Sequence, residues 1–275
     1  MQPGKAQLLR GAVTALALGV AACGNATPEP PPEELSDPGP NDASFDEALS
    51  FDGVDDYASV GTARMPQIER DQTLMLWFLP KAPPDAKAAD DVQTMFALRR
   101  SDWSGFSLSL RNAVPVVINV YSGRDIAAAA SAITLGVWHH LAVVIEAKSS
   151  ELFIDGVSVS KGAEPGQNRT PIEAYLGTAD GYRQPFRGLL DEVQVFPRSY
   201  GADEIAQVAQ GIRPDEVDPP VLYLPFNEAG GARCYDRSGL GNHAELGDGI
   251  AALMPTREPL DARQPRTIPT AAPMP

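Results

Sequence analysis

The chain has 275 residues, with 22 Lys and Arg against 36 Asp and Glu, a formal net charge of −14 and 43% hydrophobic residues. That balance argues against nucleic acid and anionic lipid surfaces as partners recognised by charge, because both want basic patches. An acidic surface is compatible with neutral glycans, cationic partners or bound calcium.

At the front, Lys5 and Arg10 flank the start of an apolar run from Gly11 to Ala22 that is too short to span a bilayer and long enough for the core of a signal peptide. The run ends in Val20-Ala21-Ala22-Cys23, which resembles the lipobox of bacterial lipoproteins. The resemblance implies a signal peptide over residues 1–22, a diacylglycerol on the Cys23 sulfur and attachment to a membrane through that lipid anchor. Gly24 resembles the sorting pattern of Gram-negative lipoproteins and implies a place in the bacterial cell envelope, at the outer membrane. An ordinary secretory signal with a coincidental cysteine is the alternative. Losing Lys5 and Arg10 with the leader takes the net charge to −16.

Residues 23–44 then read as the lipidated cysteine and a tether, in which Pro28, Pro30, Pro31, Pro32, Pro38 and Pro40 stiffen the chain and Glu29, Glu33, Glu34 and Asp37 repel one another. Beyond the tether, apolar β-formers recur in short runs closed by turn residues, as half-buried or sandwich-core strands require. The predicted strands are 48–51, 57–60, 73–79, 93–98, 106–110, 116–121, 138–145, 151–154, 157–160, 174–176, 189–196 and 221–226. Asp155-Gly156 supplies a two-residue loop that tolerates the positive φ of a type I′ hairpin turn. One helix is predicted over 202–210, where Ile205, Val208 and Ala209 fall at helical spacing and Gly211 follows as a residue able to take the left-handed conformation. Residues 251–275, Pro-rich and without periodicity, are expected to form a disordered tail.

Three stretches carry a family resemblance: Phe51-Asp-Gly-Val-Asp-Asp-Tyr57; Trp138-His-His-Leu-Ala-Val-Val-Ile-Glu146 running into Leu152-Phe-Ile-Asp-Gly156; and Gly188-Leu-Leu-Asp-Glu-Val-Gln-Val-Phe196. In order and spacing they resemble the laminin-G-like, concanavalin A-like jelly-roll family, from about Phe45 to Leu246, roughly three quarters of the chain. The implied fold is all-β, a two-sheet antiparallel jelly-roll sandwich with one short helix, over residues 45–250. In many members a motif like Val221-Leu-Tyr-Leu-Pro-Phe-Asn-Glu228, followed by Tyr235-Asp-Arg-Ser-Gly-Leu-Gly-Asn-His-Ala-Glu-Leu246, opens the domain. Here it stands at the back, so residues 221–246 are expected to fold back and complete the sheet; a second domain truncated after one strand is the alternative. The family includes glycan-binding modules, adhesion domains and non-catalytic appendages of secreted enzymes, so the fold alone does not name an activity.

Signs of catalysis are missing from the sequence. Glucanases on this sandwich hold nucleophile and acid about 5–5.5 Å apart on one strand, and no Glu-x-Asp-x-x-Glu run occurs. Asp191 and Glu192, adjacent on a strand, point to opposite faces. The chain is therefore expected not to be an enzyme. His139 and His140 likewise face opposite sides, with one expected satisfied inside and one solvated, and His243 is distant, so no zinc set converges. By position in the matching motifs, Asp52, Asp55 and Asp191 are the candidate ligands of a structural calcium ion, which takes hard oxygen donors. A sugar site needs exposed rings and a few planar polar groups. Trp103, Tyr121, Tyr182 and Arg183 fall in loop-like settings that fit, while Trp77 and Trp138 read as core. Polysaccharide or glycoconjugate is the expected partner, with an envelope protein as the alternative. If Cys23 is lipidated, Cys234 has no disulfide partner, and its setting reads as that of a buried inert thiol.

Overall fold

Apolar residues at alternate positions give each strand one core-facing side, and two such sheets close on each other. A computed structural model describes residues 46–63, 65, 71–82, 92–100, 104–163, 171, 173–212, 219–228 and 230–260. The leader, Cys23 and the tether lie outside the described residues.

In chain order the strands are β1 (Glu47–Asp52), β2 (Ala58–Val60), β3 (Gln72–Pro80), β4 (Val92–Arg99), β5 (Gly105–Arg111), β6 (Val114–Asn119), β7 (Asp125–Ala128), β8 (His139–Glu146), β9 (Ser149–Ile154), β10 (Val157–Ala163), β11 (Glu173–Leu176) and β12 (Arg187–Phe196). Helix α1 (Ala202–Ala209) follows, then β13 (Leu222–Leu224), β14 (Arg233–Cys234), β15 (Ala244–Leu246) and β16 (Thr256–Pro259). One antiparallel sheet runs β10-β9-β8-β3-β12-β1-β16, with β13 also on β12; the other runs β14-β15-β2-β11-β4-β5-β6-β7. The protein is thus a two-sheet jelly-roll sandwich. Leu49, Phe51, Leu76, Phe78, Leu141, Val143 and Leu190 of the first sheet meet Phe96, Leu98, Phe106, Leu108, Val117 and Leu176 of the second in the main core.

The first sheet is apolar on its outer side as well, which explains why β3 is buried at every position. Helix α1 lays Ile205 and Val208 on Met75, Ala142, Val144, Phe153, Phe196 and Tyr200. Its first turn is fixed by Glu204, whose carboxylate accepts the Gly201 N–H at 2.7 Å and pairs with Arg198 at 2.7 Å. The Asp155-Gly156 turn, with φ of 52° and 80°, packs so close to α1 that a Cβ on Gly156 would stand 3.0 Å from the Ala206 Cα. Further along the same face, Ala48, Trp77, Leu79, Trp138 and Leu189 cluster with Leu260.

A one-residue bulge in β12 keeps Leu190, Val193 and Val195 all facing the core: Asp191 lies opposite Trp77 and Gln194 opposite Met75, with Glu192 at φ 51°. The bulge also divides the far edge of β12. Residues Leu190 to Arg187 pair with β1, and Val193 to Val195 pair with β13. After β13 the chain crosses to the second sheet, where β15 pairs with β2. Asp236, 6% exposed, organises that crossing, accepting the N–H groups of Tyr223, Ser238 and Asn242 and the Ser238 hydroxyl.

The tail boundary needs correction. Residues 256–259 form β16, antiparallel to β1, and Leu260 donates its N–H to the Asp46 carbonyl at 2.8 Å. Polar Thr-Arg-Glu-Pro lacks apolar alternation because it is an edge strand, where proline is tolerated. Arg257 holds it, donating to Glu228 at 2.9 Å, to the Phe226 carbonyl and to the Cys234 sulfur.

Candidate functional site

The outer face of the second sheet differs from that of the first. Register places Glu245, Ser59, Tyr175, Ala97, Ser107 and Ile118 side by side across β15, β2, β11, β4, β5 and β6, opposite in direction to the core residues that flank them. Towards β4 and β5 the polar groups are buried and satisfy one another: Thr94 bonds Ser109 at 3.0 Å, Ser109 bonds Ser107 at 3.0 Å, and Thr94 donates to Gln184 at 2.9 Å.

Aromatic surface gathers at β11. Tyr57 and Tyr175 meet edge-on at 6.3 Å, and the Arg99 guanidinium stands 5.6 Å from the Tyr175 ring while paired with Glu173 at 2.8 Å. Tyr57 donates its hydroxyl to Asp248 at 3.0 Å; burial, then that carboxylate, push the phenol up to about 12. Asp248 also accepts the Ser59 hydroxyl.

The loop from Gly177 to Phe186 closes this end. Gly177 has φ 78°, and a Cβ there would run into the Phe51 ring, so the loop can start only with glycine. Asp180 accepts the N–H groups of Tyr182 and Arg183 and pairs with the Arg183 guanidinium. Gly181 passes against the rings of Tyr175 and Tyr57. Tyr182 is thereby held on the rim, 70% exposed, with Arg183 at 5.3 Å from its ring. Two of the sequence-predicted ligand residues are therefore adjacent, beside a tyrosine pair that the sequence reading passed over. Alternation could have found it, since Ala174 and Leu176 face the core and Tyr175 must then face out.

Tyr121 does not join them. It is 76% exposed on the turn after β6, at the Gly105 end of the strands, whereas the Tyr182 loop leaves β11 at the Phe96 end. Trp103 lies outside the described residues.

Next to the loop, Asp52, Asp55 and Asp56 place carboxylate oxygens within 4.8 Å of one another. Asp52 accepts the Val54 N–H at 2.7 Å, and Asp56 accepts the Asp52 N–H at 2.8 Å. Burial, then the charges of Asp52 and Asp55, raise Asp56 to about 6, with the Asp52 N–H opposing. A hard divalent cation would reverse that cost, so the donor set fits calcium. Asp191 is not part of the set. It lies four residues along β12 from Arg187, the partner of Asp52, about 13 Å at strand rise. Its fully buried side chain is on the outer face of the first sheet opposite Trp77, and its carboxylate accepts the Glu192 N–H in the bulge. Asp56 completes the cluster instead.

Neither strand histidine is solvated, contrary to expectation, because both faces of the first sheet are covered. His139 is 8% and His140 1% exposed. Burial pulls His140 down to about 4. Cys234 is fully buried, and burial, followed by the Glu228 charge, pushes the thiol up to about 12, so it is unreactive at neutral pH.

Residues 52–206 match a family model described as the concanavalin A-like lectin/glucanase superfamily. No curated protein matches the chain by sequence. Among solved structures, a Bacteroides ovatus protein proposed to bind carbohydrate superposes with a TM-score of 0.57 at 16% identity, over 79% of this chain and 61% of its own. The heptameric SAP-like pentraxin of Limulus polyphemus aligns at 0.48 and 16% identity, over 60% and 82% of the two chains. Domain 4 of an extracellular arabinanase from Geobacillus stearothermophilus, solved with arabinotriose, aligns at 0.46 and 17%, over 59% and 76%. On the family match, which spans more than half its length, the chain belongs to the concanavalin A-like lectin/glucanase superfamily.

Proposed function

We propose that the protein is a non-catalytic, lipid-anchored module of the bacterial cell envelope that binds a polysaccharide or glycoconjugate at the Tyr175–Tyr182 end of the sandwich. The observation that carries this is Tyr182, an exposed ring held on the rim by Asp180 with a guanidinium at its face. Sugar faces stack on such rings, and Arg183, Glu173 and Ser59 are the planar or hydroxyl groups nearby that would fix hydroxyls. The family and the carbohydrate reading of the Bacteroides ovatus relative support this assignment. Asp52, Asp55 and Asp56 would hold a calcium ion that ties the end of β1 to the loop before β2 and keeps the rim rigid.

The test is binding of the full-length protein to a polysaccharide panel, with calcium and then with chelator. Saturable binding is expected, weakened at least tenfold by Tyr182→Ala with an unchanged melting temperature, since about 1.4 kcal/mol of lost stacking gives that factor. Calcium is expected to raise the melting temperature, and Asp56→Asn to abolish that rise. Silence across the panel from a well-folded protein would favour an envelope protein as the partner, and turnover of a polysaccharide would overturn the non-catalytic reading.

A further inference from the structure

His139 has an arrangement that the binding site does not use. Its Nδ1 lies 2.8 Å from Asp155 Oδ2 and its Nε2 lies 3.1 Å from the Thr134 carbonyl oxygen. Both partners are acceptors. A neutral imidazole carries one N–H and can satisfy only one of them, whereas an imidazolium donates to both. Asp155 is itself fixed: its other oxygen accepts the His140 N–H at 2.8 Å, its own N–H bonds the His140 carbonyl at 2.8 Å, and it occupies the first position of the β9–β10 turn.

We propose that His139 is a proton-operated latch: its imidazolium ties the loop before β8 to the β9–β10 turn, and loss of the proton frees the loop at Thr134. The other ties of that loop are the Ile133 N–H to the Ala113 carbonyl and the Gly136 N–H to the Pro80 carbonyl, which lie on either side of Thr134. Released between them, the Thr134–Leu135 stretch, where Leu135 is already 41% exposed, opens more readily, and the two flanking bonds open with it. The groups facing the ring are the Asp155 carboxylate from the turn, the Thr134 carbonyl from the loop and the Phe78 ring from β3 at 5.8 Å; on its own strand His140 points to the opposite face. Burial alone would lower the basicity of His139, but the Asp155 bond and charge and the Thr134 carbonyl outweigh it, so the folded value is raised. The latch therefore contributes fully below the unfolded value of about 6.5 and is lost as pH rises through the folded value.

The test follows the two ring nitrogens by NMR, and the protection factors of the bonded amides on either side of Thr134, those of Ile133 and Gly136, by hydrogen exchange, in the full-length protein from about pH 5.5 to about pH 9. Expected are two protonated ring nitrogens at low pH, a His139 transition above 6.5, and protection at Ile133 and Gly136 falling at least tenfold through the same transition. Asp155→Asn suits the positive φ of the turn and keeps the fold; it should move the His139 transition down and the loss of protection with it. His139→Gln should leave protection low and independent of pH. A singly protonated ring at about pH 6, or protection that does not follow the His139 transition, would overturn the latch.

Discussion

Adjacent histidines on one strand titrate in opposite directions because their faces differ: His139 has a carboxylate beside it, while His140 is held edge-on to Trp77 at 5.2 Å in a fully buried position. For His140 the folded value near 4 lies below the unfolded 6.5, so the unfolded chain binds a proton over a range where the native protein does not. Stability is then present above 6.5 and drains as pH falls towards 4, by about 3 kcal/mol at the lower end. His140→Phe should flatten the loss of stability between those pH values relative to the parent protein, as measured by denaturant midpoints. An unchanged acid slope would show that other groups govern it. Face assignment of the two rings was legible from strand alternation. The burial of both was not, because the pattern of β8 cannot say that α1 and the Trp77–Trp138 cluster cover the outer face.

Among the elements, the twelve strands visible as apolar runs all have counterparts in the structure, as does the helix, because each has enough alternating or continuous β-formers to announce itself. The four that went unread are β7, β14, β15 and β16. β7 reads Asp-Ile-Ala-Ala, β14 has two residues, and β16 is polar with a proline; such strands are defined by their partners and not by their own side chains. The site shows the same division. Asp52 and Asp55 stood out as a motif, whereas Tyr175 takes its role from register with neighbours distant in sequence. The Asp236 turn illustrates how much one residue can hold at this scale. Replacing it by Ala leaves the buried N–H groups of Tyr223 and Asn242 and the part-buried one of Ser238 without their acceptor, and a cost of about 3 kcal/mol or more follows. In a domain of this size that should lower the melting temperature by roughly 6–12 °C, with Asp236→Asn intermediate. A loss under about 2 °C would show that water replaces the carboxylate there.

For the whole molecule, the proposed anchor makes a simple prediction: the protein should fractionate with membranes, and Cys23→Ser should release it to the soluble fraction with its melting temperature unchanged. Retention of Cys23→Ser on membranes would remove the anchor. The pairing of β1 with β16 then gives the domain a direction. Leu260 is bonded to Asp46, so the chain enters and leaves the described domain at one point. From that point β1 runs its six residues, about 20 Å, to end at Asp52 beside the tyrosine rim. A pull applied between Asp46 and Leu260 would therefore unzip the β1–β16 edge bond by bond before any load reached the loops around Tyr182.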